Sequence, residues 1–128
     1  MVTATTHDIE IRVETSFQPD YSVPNSAENI FAYRITILNK SHFTVQLLRR
    51  HWYIFDGPRL VREVEGEGVV GETPTLAPNE QHVYVSFCNL QSVIGRMEGS
   101  YTFIREFDEA LFQVAIPSFT MAIPALAN

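Results

Sequence analysis

Along most of the chain the hydrophobic positions recur at every second residue, the period of a strand with one buried face. Ile9-Glu10-Ile11-Arg12-Val13-Glu14 alternates apolar with charged side chains. Phe31, Tyr33, Ile35 and Ile37 alternate with Ala32, Arg34 and Thr36, which predicts a second strand ending near Asn39-Lys40-Ser41. A third, long strand is expected over Phe43–Phe55, closed by the turn residues Asp56-Gly57-Pro58, with Arg59–Glu65 as its return. Further strands are expected over Gln81–Phe87, Ser100–Phe107 and Leu111–Ile116, the last two joined at Asp108-Glu109. Pro117 and Pro124 set off Ser118–Ile123 as an edge strand, and only Leu90–Met97 has room for a helical turn, limited by Gly95. Short strands separated by turn signals predict an all-β antiparallel β-sandwich, with an open barrel as the other architecture. In the long third strand, strict alternation puts Arg50 and Trp52 on one face with Leu48 and Ile54. His51 then faces the other way with Leu47 and Tyr53. Trp52 is the aromatic expected between the sheets.

Composition adds bulk and removes partners. Nine Phe, five Tyr and 45% hydrophobic residues suffice for one core in a single domain over residues 1–128, with its core at about 7–124. A net charge of −6 argues against a nucleic-acid binder, which needs a basic footprint to displace phosphate counterions. Lys40 is the sole lysine, so the cationic groups are almost all arginine, the residue suited to planar, bidentate or stacked contacts. The segment Met1–His7 lacks the basic and apolar regions of a signal peptide, and no apolar run approaches the ~20 residues of a membrane helix. One cysteine, Cys88, forms no internal disulfide. A cytoplasmic protein without a membrane partner is expected.

Three places carry candidate chemistry. Gly66-x-Gly68-x-x-Gly71 has the spacing of a dinucleotide-binding loop, but Pro74 and Pro78 forbid the helix whose N-terminus would receive the pyrophosphate. Glu65, Glu67 and Glu72 also flank it. The loop therefore reads first as a bend requiring glycine geometry. Its second reading is an anion site built from loop amides with help from Arg49, Arg50, Arg59 or Arg62. Arg50-His51-Trp52 offers Arg50 and His51 as ligand or partner contacts beside a structural Trp52; Arg50 stacking on Trp52 or pairing at the core's rim is the alternative. Glu63, Glu65 and Glu67 alternate along one side, a spacing open to Mg²⁺ but usual for a solvated face. The histidines His7, His42, His51 and His82 have no i,i+2 or i,i+4 pairing, so no metal site and no cofactor are expected. Ser86, Ser92 and Ser100 lack a nucleophile-elbow context and Cys88 lacks a catalytic neighbour, so no enzyme is expected.

Taken in order, Arg50-His51-Trp52, Glu63 through Gly71, then Pro74, Leu76 and Pro78 resemble the signature of the ApaG family. Gly95-Arg96-Met97-Glu98-Gly99-Ser100-Tyr101 and Ile116-Pro117-Ser118-Phe119 extend the resemblance, which runs from about His7 to Pro124. Asn79, where a glycine commonly stands, and Phe87-Cys88 depart from it. The resemblance implies an immunoglobulin-like sandwich close to fibronectin type III, a link to cobalt and magnesium tolerance or efflux, and a binding role. Similar domains are appended to eukaryotic F-box adaptors and to a polymerase-delta-interacting protein. The leading expectation is a non-enzymatic module that binds another protein. The alternative is a nucleotide- or pyrophosphate-binding protein that takes a phosphate-bearing small molecule at the glycine loop, with weak hydrolase activity. Direct divalent-metal binding comes third.

Overall fold

A computed structural model of the chain describes residues 1–19 and 28–124. Among these residues it has nine strands: β1 (Val2–Thr6), β2 (Ile9–Phe17), β3 (Asn29–Asn39), β4 (Val45–Asp56), β5 (Arg59–Glu67), β6 (Thr75–Leu76), β7 (Gln81–Leu90), β8 (Ile94–Arg105) and β9 (Leu111–Ala122). They form two antiparallel sheets, one in the order β1-β2-β3-β7 and the other in the order β5-β4-β8-β9, with β6 paired to the start of β4. The chain changes sheet between β3 and β4 and returns at β7. This is the β-sandwich that the period-two pattern predicts.

The alternation decides what is inside. Ile9, Ile11 and Val13 of β2 meet Phe31, Tyr33, Ile35 and Ile37 of β3 on one inner face. Leu47, Trp52 and Ile54 of β4, with Met97, Tyr101 and Phe103 of β8, supply the other. Each such side chain taken from water contributes roughly 1.5–3 kcal/mol. Trp52 is 3% exposed and lies edge-on to Tyr33, Tyr101 and Phe119, with ring centroids 5.6, 6.4 and 5.9 Å away.

Three register shifts interrupt the strand pairing, and two of them change the alternation expected from sequence. The β4–β8 register shifts between Leu47 and Arg49, so Leu48 is the extra residue and the phase of β4 reverses there. Leu47, not Leu48, is therefore the core partner of Trp52 and Ile54; it is fully buried, and the expected face assignment is corrected at both leucines. A second shift opposes Glu98 to Pro117 and Ser118, so Leu111–Ala122 is one continuous strand rather than two. Pro117 is tolerated because it sits in that bulge on an edge strand. β1 escaped the periodicity altogether. It pairs with β2 through a tight turn in which His7 and Asp8 both have positive φ, the hairpin geometry that matches strand twist.

Candidate functional site

The two long sides of the sandwich differ. On one, edge strand β1 packs on edge strand β9, and the Ala115 amide donates to Thr6 Oγ1 at 3.2 Å. On the other, edge strands β5 and β7 diverge around a cleft of about 350 Å³. The floor of the cleft is Trp52, Ile54 and Met97, and its β7 wall is Tyr84, Ser86 and Phe87. Arg50, Arg62, Val64, Val69 and Val70 complete it with Tyr33, and no carboxylate of the described residues lines it.

Arg50 reaches the cleft because it stands two residues before Trp52 on the same face of β4, beyond the bulge at Leu48. Its cross-strand partner is Gly66, which has no side chain, so the guanidinium lies over that residue. A Cβ built on Gly66 would stand 2.9 Å from Arg50 Nη1 and Nη2. Nη1 donates to the carbonyls of Glu67 at 2.9 Å and Gly68 at 3.1 Å. Arg62, opposite Ile54, ties the two edges together, donating to Asn89 O at 2.9 Å, Asn89 Oδ1 at 3.3 Å and Cys88 Sγ at 3.4 Å. Neither arginine has a carboxylate partner among the described residues, whereas Arg12, Arg96 and Arg105 do. The Tyr33 hydroxyl is hydrogen-bonded to Ser86, and Tyr84 bonds to Tyr101. Burial pushes all three tyrosines above their usual range, so each is a neutral donor. Burial likewise pushes the Cys88 thiol up, which keeps it protonated.

The glycine loop is a bend. No helix follows it; β6 does. Gly68 and Gly71 have φ of 66° and 77°, and Val70 is also left-handed at 47°. The Gly68 amide donates to Leu48 O at 2.8 Å, while Val69 and Glu72 exchange amide bonds at 2.8 and 3.0 Å. These three N–H groups are spent on backbone acceptors, and the loop turns carbonyls, not amides, toward Arg50. Gly66 stands apart in β5, making room for a side chain rather than a turn.

His51 faces outward, as expected, and strand pairing brings it between two of the three carboxylates. Nε2 lies 3.1 Å from Glu63 Oε2 and Nδ1 lies 3.0 Å from Glu65 Oε1, with Tyr53 stacked at 4.6 Å. The three side chains offer ligand atoms within 4.8 Å of one another. Residue spacing cannot reveal this group, because His51 and the glutamates lie on different strands. Each ring nitrogen of His51 already has a carboxylate partner within the protein, so the geometry is accounted for without a metal.

The sequence reading passed over the outer face of β7. Val83, Val85 and Phe87 form an apolar row, 36%, 47% and 60% exposed. The signal was present: ten residues with no Lys, Arg, Asp, Glu or Pro on what proves to be a sheet edge.

Fold and site together define a β-sandwich with one closed and one open side, the open side carrying a cationic cleft and an apolar, uncharged edge strand. The sequence model of the ApaG domain matches residues 19–105. Protein ApaG of Pseudomonas paraeruginosa is 43% identical over 120 residues, 94% of each chain, and that of Paramagnetospirillum magneticum is 44% identical over 124 residues, 97% of this chain and 95% of the relative. A crystal structure described as the putative ApaA protein from Bordetella pertussis superimposes with a TM-score of 0.88 at 38% identity, covering 94% of this chain and 97% of that one. The chain belongs to the ApaG family.

Proposed function

We propose that this protein is a non-enzymatic binding module that receives an extended segment of another protein along β7. The observation that carries the reading is the contrast among its four sheet edges. β1 is five residues long and packed on β9. β9 has Pro117 and a bulge. β5 carries Arg59, Arg62, Glu63, Glu65 and Glu67, with a register shift beside Phe55. Those are the devices by which proteins blunt an edge against pairing. β7 has none of them: it is ten residues long and uncharged, its outer face is apolar, and its far edge pairs with no described strand. An edge of that kind templates strand addition, in which main-chain hydrogen bonds supply affinity and alternate side chains supply specificity.

An immunoglobulin-like or fibronectin type III-like sandwich in the cytoplasm suits such a role. A link to cobalt or magnesium tolerance is then indirect, through the partner. The spent amides of the glycine loop favour this reading over nucleotide binding there.

The test is affinity capture from cell extract with mass spectrometry, comparing the parent with Val85→Lys on β7 and Leu111→Lys on β9. Both positions are exposed, so both variants keep the fold by circular dichroism. The same partner should be retained by the parent and Leu111→Lys and lost by Val85→Lys. Retention by all three refutes β7 as the docking edge.

A further inference from the structure

The cleft between β5 and β7 holds two guanidinium groups that the fold does not neutralise. The chain has 15 acidic and 9 basic side chains, yet among the described residues no acidic one lines this cavity. The carboxylate whose charge Arg62 influences, Asp56, is itself bound at 2.7 Å by each of the amides of Gln91 and Ser92. On Arg50 both hydrogen bonds use Nη1, which leaves Nη2 and Nε without a protein acceptor among the described residues. On Arg62 the Nε is likewise without one. The remaining lining is apolar or aromatic, with Tyr33, Tyr84 and Ser86 as its hydroxyl-bearing residues.

We propose that this cleft binds a small organic anion, a carboxylate or phosphate carried on an aromatic or aliphatic body. Guanidinium donors are matched to planar oxyanions and hold them by charge-assisted hydrogen bonds. The apolar floor of Trp52, Ile54 and Met97 takes the body of the ligand. A volume of about 350 Å³ lies at the small end of ligand pockets, enough for one ring with its anionic group and too little for a whole dinucleotide. The site is distinct from the glycine loop. Its donors are side chains, and the loop's part is to hold Arg50 by two carbonyls over Gly66. Nor does it depend on strand docking at β7: Val83 and Val85 of the apolar row lie outside the cleft, and Phe87 alone is shared.

The protein reports on the site itself, because Trp52 is its one tryptophan and forms the floor of the cleft. Benzoate, phenyl phosphate and uncharged benzyl alcohol are titrated into labelled full-length protein. Trp52 fluorescence and the arginine Nε–H and Trp52 indole signals in two-dimensional NMR follow the binding. Both anions should shift Arg50, Arg62 and Trp52 saturably and more weakly as salt is raised, while benzyl alcohol should not. Arg62→Gln should weaken each anion about tenfold, the loss of one charge-assisted hydrogen bond. Arg34→Gln, on the outer face of β3, should leave both affinities unchanged. Arg50→Gln provides the second variant, so the outcome does not hinge on the tether that Arg62 also makes to Asn89. Equal binding of benzyl alcohol, no saturable shift with either anion, or unchanged affinity in both cleft variants overturns the proposal.

Discussion

Replacing Gly68 by alanine tests whether the glycine loop is a structural bend. Its φ of 66° is one that a side chain resists, at a cost of roughly 1–2 kcal/mol. The added Cβ would also stand 2.3 Å from the carbonyl oxygen of Glu72, a backbone atom, and 3.2 Å from Thr73 Cγ2. Backbone cannot swing aside as a side-chain tip does. The turn must open, and the two bonds between Val69 and Glu72 stretch or break. Each is worth about 0.5–1.5 kcal/mol net, which brings the expected loss to about 2–5 kcal/mol. Gly71→Ala is the internal control: its φ is 77°, but a Cβ there meets nothing within 4 Å, so only the conformational cost of about 1 kcal/mol remains. In a urea titration with a slope of about 1–3 kcal/mol per molar, the Gly68 variant should lose about two to five times as much midpoint as the Gly71 variant. Both losses should appear without any ligand. Equal midpoints for the two variants, or a neutral Gly68→Ala, would refute the assignment of the loop to backbone geometry and return it to ligand binding.

Asp56 should stabilise the β7–β8 connection in a pH-dependent way. Partial burial pushes its carboxyl up, but amide hydrogen bonds from Gln91 and Ser92 outweigh that and hold it below the usual range. A depressed pKa contributes stability above the unfolded value near 4 that is lost as pH falls through the folded one. Asp56→Asn should thus cost about 0.5–1 kcal/mol at pH 7, after allowance for solvent screening, and the difference should shrink below pH 4 in parallel urea titrations; a gap that is constant with pH contradicts it. Calorimetric titration with Co²⁺ or Mg²⁺ is expected to give no stoichiometric site of micromolar or tighter affinity, since His51 already satisfies Glu63 and Glu65 and all three are reachable by water. A tight site abolished by Glu63→Gln plus Glu65→Gln would place a metal in that cluster.

Period-two patterning carried most of the fold, because a residue's side of a strand depends only on its neighbours. It failed where an inserted residue reverses the phase. Nothing in Leu47-Leu48-Arg49 marks which leucine is the extra one; the pairing with β8 decides it. At Pro117 the proline was a true signal read too strongly, as a strand end instead of a bulge. β1 was silent because Thr3, Thr5 and Thr6 present little contrast between faces, and its turn residues His7 and Asp8 are not the usual left-handed pair. Of the site, Arg50, His51 and the glycines were named from sequence. What each faces was not legible, since Arg50 with Gly66 and His51 with Glu63 and Glu65 are cross-strand relations.

The two sides of the sandwich show why a cationic cleft and an unprotected edge belong to the same reading of this molecule. β1 and β9 cover each other, so their side exposes neither an open edge nor a gap between the sheets. β5 and β7 are held apart, and the gap is kept open by the residues that line it: Gly66 leaves room where a side chain would displace Arg50, and Arg62 bridges to Asn89 only at one end. Phe87 exposed on the edge strand and guanidinium donors left to water are groups with which a partner and an anion can make contacts that the fold itself does not use. The two features share Phe87 but remain separable by mutation, because Val85 lies outside the cleft and Arg62 lies off the apolar row. Val85→Lys alters the outer row of β7 without reaching the cleft, and Arg62→Gln alters the cleft without touching that row. Loss of anion binding with protein capture intact, or the reverse, therefore assigns each function to its own residues.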